Sequence, residues 1–249
     1  MALSGDITSF IENAVAEHNG DGLFRTPLVG FSAAADPLFK ELKEIVGPHH
    51  LLPVEILPEA QTVISFFVPF AEQVVEANRK GGDKVAEEWA KAYICLNRLL
   101  NALSLELTGM LWERGFAAEM IRATHTYDPQ TLLASWSHRS AAFIAGLGRF
   151  GRNRLIITAK GCAGRFGSVI TAAGIEPDRR PLKEPCLYYN GGSCGHCFKN
   201  CPIQALGKDG SFARHRCNER LLTVDAGFAY LDTCDVCGKC AVGPCAFIK

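Results

Sequence analysis

The cysteines of this chain are concentrated near its carboxyl-terminal end. Of eleven cysteines in 249 residues, nine lie between residues 186 and 249. The iron-sulfur template C-x2-C-x2-C-x3-C-P brings successive thiolates to one centre, and its last cysteine often ligates the neighbouring cluster. Cys194, Cys197 and Cys201-Pro202 fit its last three positions, with Cys186 as a first ligand displaced by an insertion. The spacing predicts two [4Fe-4S] clusters. The full set is Cys186, Cys194, Cys197, Cys201, Cys217, Cys234, Cys237, Cys240 and Cys245.

Structural zinc and disulfides are the alternatives for these cysteines. Zinc favours paired CxxC units, which Cys194/Cys197 and Cys237/Cys240 would supply, but this leaves the other cysteines and the Cys-Pro step unexplained. Disulfide frameworks are typical of small secreted chains, whereas this chain has an odd cysteine count and shows no signal peptide at its start. The two remaining cysteines, Cys95 and Cys162, are predicted to be packed core residues.

Charge and hydropathy exclude some classes of partner. The formal net charge is zero, so no overall field attracts nucleic acid or acidic membranes. The most apolar segment, Ile94 to Trp112, contains Arg98, Asn101 and Glu106 and is predicted to be a buried helix of a water-soluble protein. Many thiols without an export signal favour a reducing cytoplasm.

The apolar pattern predicts helices alternating with buried strands, which indicates an α/β or α+β sandwich. Charged and proline residues at 176–185 predict a linker. It would separate an α/β cofactor or substrate domain, residues 1–175, from a cysteine-rich domain, residues 186–249, in which metal binding replaces apolar burial. Predicted helices cover 7–18, 38–46, 83–113 and 132–145, and predicted strands cover 62–68, 116–121, 154–158 and 166–171.

A glycine-rich run, Gly146-Leu-Gly148-Arg-Phe-Gly151, formally matches the dinucleotide-binding pattern. It follows a predicted helix and precedes a strand, which inverts the order that this pattern requires. Three glycines allow positive φ and close approach to a ligand, and arginine side chains suit phosphate and carboxylate. The run therefore predicts either a socket for an anionic cofactor or a solvated basic turn, with Arg139, Arg149, Arg152, Arg154 and Arg165 nearby.

Polar side chains just before this run are candidates for proton transfer. His125 and Asp128 lie in one segment, and His138 lies in the next predicted helix. Histidine and aspartate are common general acids and bases. A single histidine is also commonly a hydrogen-bonded structural group, and both roles stay open.

Two segments resemble the epoxyqueuosine reductase family. The first is Trp136 to Gly151 followed by Leu155-Ile-Ile-Thr158, and the second contains Cys197-x3-Cys201-Pro202, His215-Arg-Cys217 and Cys234-Asp-Val-Cys237. The resemblance covers roughly residues 120 to 249. It implies an α+β fold, in which a nitroreductase-like α/β sandwich domain, distantly similar to reductive dehalogenases, is followed by a small ferredoxin-like two-cluster domain.

The resemblance also implies a set of ligands and a cofactor. One cluster would be held by Cys186, Cys194, Cys197 and Cys245, and the other by Cys201, Cys217, Cys237 and Cys240. Cys234 would be spare, although it could replace Cys240 or Cys245. Family members pass electrons to a cobalamin. Gly146, Gly148, Gly151, Arg139 and Arg152 are then the expected cofactor-binding residues, with a flavin as the alternative cofactor.

Two departures from the family bear on the substrate. The family's proton-donating aspartate would fall near Leu132, and Asp128 is the nearest carboxylate. This sequence ends at Lys249, without the helical-repeat tail that helps family members hold tRNA. We therefore expect another substrate, with tRNA unlikely.

Three functional hypotheses follow. The first is an iron-sulfur oxidoreductase that relays single electrons through two clusters to a cobalamin-type or flavin cofactor or substrate. The second is a non-catalytic electron-transfer protein that reduces the corrinoid of a partner protein. The third is a metal-stabilised interaction module. A redox partner protein or a small-molecule substrate is the expected partner.

Overall fold

The computed structural model describes residues 2–124 and 127–248, arranged as eight helices and six strands within those ranges. In chain order these are α1 (Leu3–Glu17), β1 (Leu28–Ala33), α2 (Pro37–Ile45), α3 (Pro53–Ile56), β2 (Thr62–Pro69), α4 (Glu72–Lys80), α5 (Glu87–Glu113), β3 (Ala118–Met120), α6 (His138–Ile144), β4 (Gly148–Phe150), β5 (Ile156–Thr158), β6 (Gly164–Thr171), α7 (His196–Lys199) and α8 (Arg214–Gly227).

An antiparallel sheet with strand order β1-β2-β6-β3 forms the centre of the fold. All eight residues of β2 are buried. Ile64, Phe66 and Val68 face one apolar core, and Val63 and Phe67 face the cores on the other side. This alternation is that of a strand covered on both faces. The expected α+β class is confirmed.

Helices cover both faces of the sheet. On one face, α5 packs against β6 and β3 and also against α1 and α4. Its Leu96, Leu100, Leu103 and Leu107 are fully buried, at the spacing of one helical face. On the other face, α6 packs against β6 and β2. The indole N–H of Trp136 donates to Ser168 Oγ on β6 at 3.0 Å.

The cysteine-rich segment packs on the α4–α5 side of the sheet. Val236 and Val242 belong to the same apolar core as Trp89. The side-chain amide of Asn78 donates to the Cys237 carbonyl at 3.0 Å, and Arg79 Nε donates to the Val242 carbonyl at 2.7 Å. Apolar burial therefore contributes to this segment, beyond the metal binding expected from the sequence.

Residues 176–185 have no helix or strand, as the linker prediction requires. They are nevertheless attached to the first strand and its loop. Asp178 Oδ2 accepts the Phe31 N–H at 2.9 Å, and Arg180 pairs with Asp36 at 2.8 Å. The division into two domains stays a prediction.

One predicted helix is wrong in its first half. The prediction began it at residue 132, but α6 begins at His138, where Ser137 Oγ accepts the Ser140 N–H at 3.2 Å. Leu132 has a φ of 55°, a left-handed conformation that interrupts a helix. The other predicted helices and strands are confirmed, with boundaries shifted by a few residues. No helix among the described residues has the length and apolar character needed to cross a membrane.

Candidate metal centre

Four cysteines surround one pocket, and we call them the first quartet. Burial raises the pKa of Cys197 to about 11, and the neighbouring thiolates of Cys245, Cys186 and Cys194 act in the same direction. The same four side chains and that of Cys240 line one pocket, together with Arg152 and Asn153. The first quartet is Cys186, Cys194, Cys197 and Cys245.

Four further cysteines are neighbours of one another and form the second quartet. Burial raises the pKa of Cys217 to about 11, and Cys237 and Cys201 add to the effect. Burial also raises the pKa of Cys240, as do the thiolates of Cys237, Cys217, Cys201 and Cys197. The second quartet is Cys201, Cys217, Cys237 and Cys240. The effect of Cys197 on Cys240 shows that the two quartets adjoin.

Each cysteine run contributes to both quartets. Cys194, just before α7, and Cys197, within it, belong to the first quartet, whereas Cys201 belongs to the second. Cys237 and Cys240 belong to the second, whereas Cys245 belongs to the first. This exchange matches the crossed ligation of two-cluster ferredoxins.

Cys234 lies apart from both quartets. After burial, the charges that raise its pKa to about 11 are those of Asp225 and Asp235. Its N–H donates to Asp225 Oδ1 at 2.5 Å. Asp225 therefore holds the Cys234 backbone, in a place where burial and two carboxylates disfavour the thiolate.

Hydrogen-bond donors approach the sulfur atoms of the quartets. The Arg152 N–H donates to Cys186 Sγ at 3.4 Å, and the Ala205 N–H donates to Cys201 Sγ at 3.2 Å. Asn153 Nδ2 lies 3.8 Å from Cys245 Sγ and 3.2 Å from the Cys240 carbonyl. Asn153 therefore contacts one residue of each quartet.

This donor set is chemically compatible with iron-sulfur clusters. All eleven cysteines are free thiols, and N–H donors near cysteine sulfur are a common feature of cluster sites. Within residues 2–124 and 127–248, no three His, Cys, Asp or Glu side chains are grouped for a single metal ion. A four-iron cube binds each thiolate to a different iron, so its ligands stand farther apart than those of one ion.

The glycine run forms part of a hairpin that ends at the first quartet. Of the three glycines in the run, only Gly146 has a positive φ, at 77°. A Cβ there would lie 2.8 Å from the Arg179 carbonyl oxygen. Gly148 lies in β4, where a Cβ would meet the Ile157 backbone of β5. Gly151 comes directly after β4. Gly148 and Gly151 thus permit close packing of the hairpin, and cofactor binding by the three glycines stays a prediction.

The arginines near this run have two kinds of surroundings. Arg152 Nη2 donates to the Gly207 carbonyl at 3.1 Å, and its guanidinium lies 5.0 Å from the Tyr188 ring centroid. Arg149 Nε lies 3.6 Å from Glu184 Oε2. Arg152 therefore attaches the hairpin to the cysteine-rich segment, and Arg149 attaches it to the linker. Arg139 lies on the second-quartet side, where its charge lowers the pKa of Cys217 against the effect of burial.

The candidate proton donors lie apart from the first quartet's pocket. His138 Nε2 lies 2.9 Å from the Arg122 carbonyl, and its Nδ1 lies 2.7 Å from Ser168 Oγ. Nε2 must therefore donate and Nδ1 accept, and burial lowers the pKa of His138 to about 4. The carboxylate of Asp128 is exposed and accepts the Gln130 and Thr131 N–H groups, which lower its pKa. His125 lies outside the described residues.

One polar group was missed in the sequence. The Tyr93 hydroxyl donates to Asp235 Oδ1 at 2.6 Å, and the Arg165 guanidinium lies 4.6 Å from the Tyr93 ring centroid. Burial raises the pKa of Tyr93. Tyr93 lies in an apolar helix, where its side chain gives no signal of function.

Comparisons with known proteins identify the fold. No family model and no curated protein matches the chain. The solved epoxyqueuosine reductase of Streptococcus thermophilus is similar, with 21% identity and a TM-score of 0.56 over 96% of this chain and 65% of that one. The Bacillus subtilis enzyme, described with its catalytic aspartate loop swung out of the active site, has 19% identity and a TM-score of 0.54 over 88% and 58%.

A more distant similarity extends to a second group of reductases. A catabolic reductive dehalogenase has 14% identity and a TM-score of 0.57 over 79% of this chain and 27% of its own. The chain spans about three fifths of the length of the epoxyqueuosine reductases that it matches. At these identities the likeness concerns the fold, and this chain has the fold shared by epoxyqueuosine reductases and, more distantly, reductive dehalogenases.

Proposed function

We propose that this protein is an iron-sulfur oxidoreductase that carries two [4Fe-4S] clusters in a ferredoxin-like module. The single observation that carries the proposal is the exchange of cysteines between two adjoining quartets. Cys186, Cys194, Cys197 and Cys245 would hold one cluster. Cys201, Cys217, Cys237 and Cys240 would hold the other. The clusters would supply single electrons, with potentials that depend on hydrogen bonds to sulfur and on burial.

The described residues would assist this chemistry in three ways. The N–H groups of Arg152 and Ala205, and the Asn153 amide, would stabilise negative charge on the ligand sulfur atoms. The position of Cys197 and Cys240 in the lining of one pocket would keep the path between the clusters short. Arg139 would place a positive charge beside the second quartet, which favours its reduced state.

The electron acceptor would bind in the amino-terminal part, which we propose is a nitroreductase-like sandwich. The similar fold of a dehalogenase whose structure is described as suggesting a mechanism for B12-dependent dehalogenation supports a cobalamin-type cofactor, and a flavin is the alternative. Asp128 lies on an exposed loop, ionised as it stands. Proton delivery from Asp128 would require this loop to move, as in the described Bacillus enzyme structure.

We propose that the substrate is a small molecule. We also propose that the protein acts in a reducing cytoplasm. One of the similar epoxyqueuosine reductases is described with a tRNA stem loop. The formal net charge of zero gives this chain no overall attraction for such a polyanion, so we propose that tRNA is not its substrate.

A second candidate function is electron transfer to the corrinoid of a partner protein. Leu187 and Tyr189, which follow the first-quartet residue Cys186 in the chain, are 47% and 52% exposed. Exposed apolar side chains beside a redox site would suit a transient protein contact.

Anaerobic electron transfer distinguishes these functions. Protein reduced with dithionite and freed of excess reductant is mixed with hydroxocobalamin or flavin mononucleotide. The enzyme proposal predicts saturable binding of one of these and reduction within a single turnover. Reduction without binding would favour the electron carrier, and failure to reduce either would count against both.

A further inference from the structure

A lysine side chain is buried between two cysteines of the second quartet. Lys239 stands between Cys237 and Cys240 in the chain and is only 4% exposed. Among the described residues, no other lysine, arginine, aspartate or glutamate is buried. Lysine is almost never buried unless its charge is paired, because removing an ammonium group from water is costly. The surroundings of Lys239 should therefore contain a counter-charge.

Asn78, near the end of α4, fixes the position of the Lys239 ammonium group. Lys239 Nζ donates to the Asn78 carbonyl oxygen at 2.5 Å. The Asn78 side-chain amide donates to the Cys237 carbonyl at 3.0 Å, and its oxygen accepts the Ala86 N–H at 3.2 Å. Asn78 itself is fully buried. One buried residue thus holds both the ammonium group and the backbone of Cys237, so the charge is directed into the protein and not toward solvent.

The loop that carries Lys239 packs closely against α5 and against the end of α4. Gly238 has a φ of 71°, which favours glycine, and a Cβ there would overlap the Trp89 ring of α5. A Cβ at Gly81, which follows α4, would lie 3.4 Å from Lys239 Nζ. These close approaches enclose the lysine side chain, in agreement with its low exposure. The ammonium group is therefore part of a packed structure.

No carboxylate pairs with this ammonium group within 4 Å in the part of the chain that the structure describes. Burial lowers the pKa of Lys239, and the Cys237 thiolate is the charge that most strongly opposes this effect. Arg220 and Asp83 act more weakly and in opposite directions, and Asp83 is exposed to water. The Asn78 carbonyl is a single acceptor for three N–H donors. The counter-charge that remains for Lys239 is that of the second quartet.

The second quartet would be strongly negative with a cluster bound. Its four thiolates carry the negative charge, and uptake of one electron adds to it. Coulomb attraction is stronger in a protein interior than in water, so a fixed positive charge stabilises the reduced state more than the oxidised state. The potential of an iron-sulfur cluster depends on its net charge and on its exposure to solvent. A buried cation beside the second quartet should therefore raise the potential of its cluster.

We propose that Lys239 supplies the buried counter-charge of the cluster held by the second quartet and raises its reduction potential. Reduction transfers one electron from an external one-electron donor, and no bond forms or breaks. This inference rests on the proposed function, since it requires a cluster at the second quartet. The simpler alternative is that Lys239 only caps α4, whose last carbonyl groups lack partners within the helix and attract cations.

Redox titration of anaerobically purified protein with dithionite, followed by electron paramagnetic resonance, tests the role of the Lys239 charge. Lys239→Met and Lys239→Gln both remove the charge, and only the glutamine keeps an N–H donor. In both variants we expect the ratio of reduced to oxidised second cluster at a fixed potential to fall about tenfold, which lowers the potential by about 59 mV for one electron. Lys239→Arg keeps the charge and should stay close to the parent protein.

Lys199→Met is the matched control. Lys199 lies two residues before Cys201 of the second quartet, as Lys239 lies two residues after Cys237, but Lys199 is exposed. Water and salt screen an exposed charge, so this variant should have the same potentials as the parent protein. An equal fall of potential in Lys199→Met and Lys239→Met would show that burial of the charge is irrelevant and would overturn the inference.

Failure of this inference and failure of the proposed function are distinguishable, because iron content is measured on the same samples. A parent protein that binds no iron would contradict the proposed function and this inference together. Equal potentials in the parent and in both neutral variants, at full iron content, would overturn this inference alone. A lower Tm of Lys239→Met at an unchanged potential would assign Lys239 to the capping of α4.

Iron content decides the case in which the neutral variants do not hold their clusters. Retention of about eight irons by Lys239→Arg, with loss from Lys239→Met and Lys239→Gln, would support the counter-charge. Loss from all three variants would assign Lys239 to packing and would overturn the inference.

Discussion

The Sγ atoms of Cys162 and Cys245 lie 3.6 Å apart. Two backbone hydrogen bonds hold the segments together, from the Cys162 N–H to the Cys245 carbonyl at 2.9 Å and from Ala163 to Ala246 at 3.1 Å. The Cys162 S–H donates to Cys245, which lowers the pKa of Cys245. Cys162, predicted from the sequence to be a packed residue, is indeed buried, and it also contacts a member of the first quartet.

This relationship predicts opposite outcomes for the two thiols. Cys162→Ala should keep about eight irons per chain, because both quartets remain complete. Cys245→Ala removes a ligand and should lower the content to about four or fewer. Iron and sulfide analysis of anaerobically purified protein measures both. Equal losses in the two variants would assign Cys162 to the ligands.

Asn153 should tune the potential of the first cluster. Asn153→Ala removes an N–H donor close to Cys245 Sγ, and such donors stabilise the more negative reduced state. One hydrogen bond contributes about 1 kcal/mol, so we expect the potential to fall by on the order of 40 mV, converting at 59 mV per tenfold for one electron. Redox titration followed by electron paramagnetic resonance measures this fall. An unchanged potential at full iron content would contradict the role of Asn153.

Cys234 and Cys240 should differ in their effect on the second cluster. Cys234→Ser leaves both quartets intact and should retain about eight irons. Cys240→Ser removes a thiolate and should lose about half of the iron. The two replacements are chemically identical and lie six positions apart, so each controls for the other. If Cys234→Ser loses iron and Cys240→Ser does not, the alternative ligand set from the sequence is the right one.

His138 should make the folded state sensitive to acid. Burial lowers its pKa from 6.5 to about 4, so between these values the unfolded chain binds a proton that the folded chain does not. The contribution of neutral His138 to the free energy of unfolding is complete above pH 6.5 and is lost as the pH falls toward 4. By pH 5 this loss amounts to at most about 2 kcal/mol.

Thermal unfolding of holoprotein at pH 7 and pH 5 measures this contribution. His138→Gln should show a smaller fall in Tm between the two values than the parent protein. His215→Gln, at an exposed position of α8, should show the same fall as the parent. If the His138 variant also keeps the full fall, the acid sensitivity has another origin.

Helices and strands with a strong apolar pattern could be predicted from the sequence, and those without such a pattern could not. The β-branched run at 62–68 predicted β2 because both faces of that strand are buried. Strand β1 escaped because glycine and serine interrupt its apolar residues, and its place depends on pairing with β2. Helix α8 buries only Val224, so it has no apolar periodicity to detect.

The candidate site divides in the same way. Local spacing predicted the cysteines because short gaps bring thiolates together. Contacts between residues far apart in the sequence could not be predicted from local spacing. Asn153 and Cys245, for example, are 92 positions apart. The glycine run left a cofactor socket and a solvated basic turn open, because its pattern does not reveal that Gly148 and Gly151 serve hairpin packing. The ligand set and the proton donors stay predictions.

The most direct test of the account is the iron and acid-labile sulfide content of protein purified without oxygen. Two [4Fe-4S] clusters predict about eight irons and about eight sulfides per chain, with a brown colour that dithionite bleaches. Colourless protein that holds only zinc, after anaerobic reconstitution with iron and sulfide, would contradict it.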